Sequence, residues 1–268
     1  MDAAQEVVRS RANPFFKRLL QLKERGDEDL ALIEGVRLLE EARQAGVAIR
    51  EVAAAARAQA SPKGRALLRT LRERGVPVRL LEDRLLDAIS EMETSQGVVA
   101  LAERPTFDEE AAFAGVPLLV VAVGIQNPGN LGGLLRTAEA AGATGALLTE
   151  GTADPLSWKA LRGSMGSAFR LPHRSGLSTG KAVDLLRRRG VRTVAAYATA
   201  SVRYDEADLR GPVAFLFGNE GAGLSQELIR ETDLRVSIPM RGSVESLNVG
   251  VAAGILLFEA ARQRRLGR

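Results

Sequence analysis

Short apolar stretches alternate with amphipathic ones from the start of the chain to about residue 100. Asn13-Pro14 predicts a helix start, an N-cap followed by a proline in the first turn, and Gly26 predicts its end. Leu30 to Ile33 predicts a short strand, and Val36, Leu39 and Ala42 then recur at helical spacing until Gly46. Val47 to Ala53 and Val76 to Leu80 predict two more strands around a helix from Pro62 to Arg74. A short helix at Leu85 to Ile89 leads to a fourth strand at Gly97 to Leu101. Between Glu103 and Gly115 the run Arg-Pro-Thr-Phe-Asp-Glu-Glu breaks the apolar pattern. The expected division is a domain over residues 1–105, a linker over 106–116 and a second domain over 117–268.

The second half alternates more regularly. Leu118 to Val123 is continuously apolar, as in a strand buried on both faces of a parallel sheet. Helices are predicted at Leu131 to Ala141, Lys181 to Arg189, Gln226 to Glu231 and Leu247 to about Arg265. Strands are predicted at Ala146 to Thr149, Thr193 to Tyr197, Val213 to Phe217 and Arg235 to Ile238. The fold class is therefore α/β, with a mostly parallel sheet in the C-terminal domain.

Three stretches rich in glycine and asparagine follow apolar runs. They are Asn127-Pro-Gly-Asn-Leu-Gly-Gly-Leu-Leu-Arg136, Phe217-Gly-Asn-Glu-Gly-Ala-Gly-Leu-Ser225 and Ile238-Pro-Met-Arg-Gly-Ser-Val-Glu-Ser-Leu-Asn-Val249. Ligands bind open α/β sheets beyond the carboxyl ends of strands, and glycine lets backbone approach them closely. The stretches lack the Gly-Lys-Ser/Thr of a P-loop, the Gly-x-Gly-x-x-Gly of a dinucleotide site and the Gly-x-Ser-x-Gly of an α/β-hydrolase.

Composition narrows the chemistry. No cysteine is present, which removes disulfides and thiolate ligands, and the one histidine, His173, cannot build a multi-histidine metal site. His173 follows Leu-Pro and is expected in a loop. No metal is expected. The polar N-terminus and the shortness of the apolar run from Val249 to Phe258 point to a cytoplasmic protein with no membrane span. Net charge is only +4, yet basic residues cluster. Arg9, Arg11, Lys17, Arg18, Lys23 and Arg25 form one group; Lys63, Arg65, Arg69, Arg72, Arg74 and Arg79 form another. Either group suits a phosphate backbone or a solvated helix face.

The three stretches resemble the three motifs of the SpoU/TrmH family of S-adenosylmethionine-dependent RNA ribose 2′-O-methyltransferases, within the SPOUT class. Order, spacing and identity agree in all three. Ala31-Leu-Ile-Glu-Gly35 and Ser95-Gln-Gly-Val98 resemble the L30e-like RNA-binding domain that many members carry. The resemblance implies a trefoil knot in the C-terminal domain, which ordinary topology rules would not suggest. It also implies a homodimer with S-adenosylmethionine as cofactor and RNA as partner.

By the same resemblance the catalytic set is Arg136, Asn130, Glu220, Ser246 and Asn248, and the cofactor lies against Gly218, Asn219, Ile238, Met240 and Leu247. Glu220 is expected to hold the arginine and the substrate. Read without the family, Asn130 could cap a helix, Ser246 could cap the last helix, and Ile238 and Leu247 could be core. Lys17, Arg18, Lys159, Arg162 and Ser164 are assigned to RNA contact. A guanidinium is a poor general base near neutrality. Arg136 therefore either takes the 2′-hydroxyl proton with help from a substrate phosphate, or binds that phosphate and orients the hydroxyl; the sequence leaves both open. The expected function is ribose 2′-O-methylation of structured RNA, ribosomal RNA in preference to transfer RNA. A non-catalytic RNA-binding protein and a dinucleotide-dependent enzyme are the rivals.

Overall fold

The structure, a computed structural model, describes residues 7–92, 94–244 and 246–266. The chain forms two compact units, Met1–Pro105 with Leu156–Leu161, and Thr106–Pro155 with Arg162–Arg268.

The first unit runs β1 (Val7–Val8), α1 (Pro14–Arg25), β2 (Leu30–Glu34), α2 (Val36–Gln44), β3 (Ile49–Ala54), α3 (Ala56–Ala60), α4 (Pro62–Glu73), β4 (Val78–Leu81), α5 (Asp83–Ile89) and β5 (Val98–Glu103). Its five strands lie in the order β1-β4-β3-β5-β2, with β5 antiparallel to both neighbours. Helix α1 begins as its sequence predicts: Asn13 Oδ1 accepts from the Phe15 N–H at 2.9 Å, Pro14 occupies the first turn and Gly26 follows the last. Its Phe15, Phe16, Leu19 and Leu22, at helical spacing, pack with Leu85, Leu86 and Ile89 of α5 on Leu32, Ala53, Val99 and Leu101 of the sheet. Side chains alternate along a strand, so the opposite face remains for α2 and α4, which pack on each other and on β2 and β4. The sequence did not predict β1 and α3, pieces of two and five residues too short to show a period.

The second unit contains α6 (Glu109–Ala112), β6 (Leu118–Ala122), α7 (Pro128–Ala140), β7 (Gly145–Thr149), the end of α8 (Trp158–Ser164), β8 (His173–Leu177), α9 (Thr179–Arg188), β9 (Arg192–Ala196), β10 (Val202–Arg203), β11 (Val213–Phe217), α10 (Gln226–Glu231), β12 (Leu234–Ser237) and α11 (Val249–Leu266). Seven strands lie in the order β10-β12-β9-β11-β6-β7-β8, and every pairing is parallel. β6, β7 and β11 are buried along their whole length, which explains their unbroken apolar sequences. α6, α9 and α10 pack with Leu119, Val121, Leu147, Ala214 and Leu216 on one face. α7 and α11 pack on each other, α7 on β6 and β7, and α11 on β11. Near its end, α11 is tied down by Arg264, whose guanidinium donates to the carbonyls of Val116 (2.9 Å), Pro117 (2.9 Å) and Gly211 (2.6 Å).

Two expectations need correction. His173 is not in a loop; it starts β8, with its ring 4.8 Å from that of Phe107 and Nδ1 3.0 Å from the Leu171 carbonyl. β8 is an edge strand with only Leu177 buried, so it carries no apolar pattern to read. The stretch expected as linker holds the short helix α6, whose Ala112 is buried in the core. Among the described residues, no helix is long and apolar enough to cross a membrane.

Phe215 lies at the centre of the seven-stranded sheet with no exposed surface. Phe215→Ala is expected to cost about 3–5 kcal/mol, read as a lower urea midpoint with an unchanged slope.

Candidate active site

A parallel sheet sends all its strand carboxyl ends to one edge, and β6, β11 and β12 belong to the same sheet as β9 between them. The three glycine- and asparagine-rich loops therefore leave the sheet on the same side. They are also bonded to one another.

The first loop ends in α7. Asn127 caps that helix, its Oδ1 accepting from the N–H groups of Gly129 (2.8 Å) and Asn130 (3.2 Å), with Pro128 in the first turn. Asn130 is thus not the cap, and its side chain is released for other work. Its Nδ2 donates to Glu220 Oε1 at 3.1 Å, and its Oδ1 accepts from Asn248 Nδ2 at 3.1 Å. Glu220 also accepts from the N–H groups of Gln126 (3.3 Å) and Asn127 (3.2 Å). One carboxylate and two amides so connect all three loops. Burial pushes the Glu220 carboxyl up, but the Asn130 amide and the surrounding backbone N–H groups outweigh it and hold the pKa below the usual carboxylate value.

Arg136 stands exposed on α7 beyond Asn130. Glu220 does not hold it, as the resemblance had led us to expect; among the described residues the Arg136 guanidinium makes no ion pair or hydrogen bond. In the third loop Ser246 is exposed and does not cap the last helix. Asn248 does, its Oδ1 accepting from the Gly250 N–H at 2.9 Å. Ile238, Met240 and Leu247 are half-buried, so the loop offers apolar surface without sinking it into the core.

The second loop folds on itself. Asn219 Oδ1 accepts from Gly221 N–H (2.9 Å) and Ala222 N–H (3.2 Å), while Nδ2 donates to the Gly124 carbonyl at 2.9 Å. A side chain at Gly218 would collide with the backbone of Gly223 and Leu224, so this glycine serves the turn itself. A side chain at Gly163 of α8 would crowd the backbone of Gly129 and Gly132 (3.0 and 3.3 Å), so Gly163 lets the end of α8 lie close to the start of α7.

Two residues outside the motifs complete the arrangement. The Gly124 N–H lies 3.2 Å from Thr149 Oγ1 and 3.1 Å from Thr152 Oγ1, and Thr152 Oγ1 also donates to the Ala122 carbonyl at 3.0 Å. Together with Asn219 they pin the turn from which the first loop departs. The only sequence signal was a pair of threonines at and just after the end of a strand.

Of the residues assigned to RNA contact, Lys17 and Arg18 are exposed on α1, and Lys159 and Arg162 on α8. Ser164 is fully buried and, so placed, offers nothing to RNA. Among the described residues, no three His, Cys, Asp or Glu side chains cluster in a way that could hold a metal ion.

A parallel α/β sheet with three interlocked loops beyond its carboxyl edge defines the class as a ligand-binding α/β domain. Comparison with known proteins narrows it. Residues 117–258 match the SpoU rRNA Methylase family, and residues 14–100 match the MRM3-like substrate binding domain. The chain is 36% identical to the 23S rRNA (guanosine(2553)-2′-O)-methyltransferase RlmP of Bacillus subtilis over 91% of this chain and 93% of that one. It is 38% identical to the 23S rRNA (guanosine-2′-O-)-methyltransferase RlmB of Shewanella oneidensis, over 74% and 83%. In structure it resembles the SpoU methyltransferase AviRb of Streptomyces viridochromogenes in complex with the cofactor AdoMet (TM-score 0.85, 32% identity, 96% of this chain and 100% of that one). The chain belongs to the SpoU RNA methyltransferase family.

Because the folded pKa of Glu220 lies below its ordinary value of about 4.5, the stability its carboxylate contributes is fully present above that pH. It is lost as the pH falls through the folded pKa. Glu220→Gln is expected to lower the thermal midpoint at neutral pH, and the gap to wild type to close in acid.

Proposed function

We propose that this protein is an RNA ribose 2′-O-methyltransferase that uses S-adenosylmethionine and acts on ribosomal RNA. The observation that carries the reading is the Asn248–Asn130–Glu220 chain of hydrogen bonds, which ties the three family loops together, with Arg136 exposed on α7 and bonded to no described residue.

The residues fit the cofactor. Half-buried Ile238, Met240 and Leu247 offer apolar surface to an adenine ring, and the loop backbone around Gly218 offers polar groups to its edge. When bound, S-adenosylmethionine would supply a sulfonium methyl group that passes to a ribose 2′-oxygen as its S–C bond breaks, leaving the neutral thioether S-adenosylhomocysteine and giving the hydroxyl proton to solvent water. The task left to the chain is positioning. Arg136, charged, exposed and bonded to no described residue, binds a backbone phosphate of the RNA and so sets the adjacent ribose. Glu220, engaged by three donors, holds the loops in register and is not the proton acceptor. Asn130 and Asn248 fix the start of α7 against the start of α11, and Ser246 is exposed beside them for the ribose.

The first domain, residues 1–105, selects the RNA, with exposed Lys17 and Arg18 on α1 as phosphate contacts; Lys159 and Arg162, exposed on α8, are further phosphate contacts. The segment 238–248, between β12 and α11, is the part of the chain that would thread a trefoil knot. We assign the protein to the cytoplasm, where its RNA is made. We also infer a homodimer through α11: Val116, Val251 and Phe258 are each about half exposed (53, 52 and 49%), and Val116 and Phe258 line a shared depression of about 610 Å³.

Labelled methyl transfer from S-adenosylmethionine to separated ribosomal and transfer RNA tests the activity. Label is expected in ribosomal RNA as an alkali-resistant dinucleotide, and Arg136→Ala is expected to lower kcat/KM at least about 100-fold, roughly 2.7 kcal/mol, with cofactor affinity retained. Label in transfer RNA alone would move the substrate class, and absence of both label and cofactor binding would leave a non-catalytic RNA-binding protein. For the dimer, light scattering should give twice 28.6 kDa for wild type and the monomer mass for Val251→Glu with Phe258→Glu.

A further inference from the structure

β6 lies between β11 and β7 in the seven-stranded sheet, so the chain that leaves it is flanked by the loops that follow those two strands. The loop after β11 is the second family motif, and it holds the departing chain through Asn219 and Glu220. The loop after β7, residues 150–157, belongs to none of the three motifs, yet it holds the same chain from the other side.

That hold is built on Gly124, which turns the chain at the end of β6 with a φ of +63°. No atom crowds the place of its absent side chain, so glycine is needed here for its conformation. The Gly124 N–H is shared between two hydroxyls, Thr149 Oγ1 at 3.2 Å and Thr152 Oγ1 at 3.1 Å, and its carbonyl accepts from Asn219 Nδ2 at 2.9 Å. One residue on, the Ile125 carbonyl accepts from the Ala153 N–H at 2.8 Å. Gln126 and Asn127 then donate to Glu220, and α7 begins at Pro128 with Asn130 in its first turn. Residues 124–127 are thus all bonded to one or other flanking loop before the helix that carries Arg136 starts.

The two threonines are not equivalent. Thr149 is buried at the end of β7, and its hydroxyl donates to the neighbouring Glu150 carbonyl at 3.3 Å, a local contact. Thr152 is half-buried, and its hydroxyl donates to the Ala122 carbonyl at 3.0 Å while accepting from Gly124. It thereby spans the last residue of β6 and the turn two residues on. A hydroxyl donates and accepts through one atom, and a side chain of valine's shape can do neither.

We propose that Thr152 is a positioning residue for methyl transfer: through Gly124 its hydroxyl sets where α7 starts, and so where Asn130 and Arg136 stand, without itself touching cofactor or RNA. The proposal rests on the RNA-methyltransferase reading for its activity readout alone.

The test compares the full wild-type chain with Thr152→Val, which keeps the shape and removes the hydroxyl, and Thr152→Ser, which keeps the hydroxyl. Methyl transfer from S-adenosylmethionine to ribosomal RNA is measured over a range of both substrates. Thermal midpoints and hydrogen exchange of peptides covering residues 123–130 and 213–217 are followed in parallel. A misplacement of about 1 Å can cost about 100-fold in rate, so Thr152→Val is expected to lower kcat roughly tenfold or more, with KM for cofactor and RNA within about twofold of wild type. Thr152→Ser should restore kcat. In Thr152→Val the 123–130 peptide should exchange faster and the 213–217 peptide, in the core of the sheet, should not. Unchanged kcat and exchange in Thr152→Val would overturn the proposal and leave the methyltransferase reading intact. So would failure of Thr152→Ser to restore kcat, which would make the methyl group the working part. A raised cofactor KM with kcat unchanged would place Thr152 against the cofactor and overturn it as well. Unfolding of both Thr152→Val and Thr152→Ala at the assay temperature would make the residue a stability determinant, with the same consequence. If wild type transfers no methyl to any RNA, the methyltransferase reading falls, and exchange in the 123–130 peptide still decides whether Thr152 sets the start of α7.

Discussion

A carboxylate near the carboxyl edge of a parallel sheet must find donors, and at Glu220 it finds them in loops far apart in sequence. Two are backbone N–H groups before α7, and the third is the Asn130 amide, which in turn takes a hydrogen bond from Asn248. Each of these bonds joins one loop to another, although the groups themselves stand largely open to water. The three loops therefore settle together. The sheet makes this possible, because uniformly parallel strands bring the ends of β6, β11 and β12 to one side.

The division of labour among the asparagines follows from the same constraint. Asn127 satisfies the start of α7 and Asn248 that of α11, each accepting from N–H groups that have no partner within the helix. With the cap supplied by Asn127, Asn130 can use both ends of its amide as a bridge. Arg136 is then left exposed with no partner among the described residues, which suits a residue whose partner is a phosphate. The glycines divide in the same way. Gly218 closes the turn of the second loop, and Gly163, outside the loops, lets the end of α8 approach α7.

Charge on the first unit is organised by its layers. α1 and the α2–α4 pair cover opposite faces of the five-stranded sheet, so two clusters that look alike in sequence become two surfaces. On one, Arg79 is consumed by Glu51 and Phe15; on the other, Arg37 and Lys63 are exposed and form no ion pair with a described residue. A count of basic residues along the chain cannot make that distinction, since it depends on which carboxylates fold back onto which guanidinium groups.

Local physics fixed much of this protein within the sequence itself. Asn13-Pro14 and Gly26 bounded α1, and the apolar runs at Leu118 and Val213 could only be strands buried on both faces, because neither needs an exposed polar side. The family motifs named the loops. Tertiary structure alone decided the rest. β8 and His173 were illegible because an edge strand needs no apolar alternation, and Ser164 read as surface although packing removes it from water. Which asparagine caps and which bridges, and the part played by Thr149 and Thr152, depended on distances between segments 25 to 118 residues apart. A residue's type states which hydrogen bonds it can make, and only the fold states which partners arrive within reach.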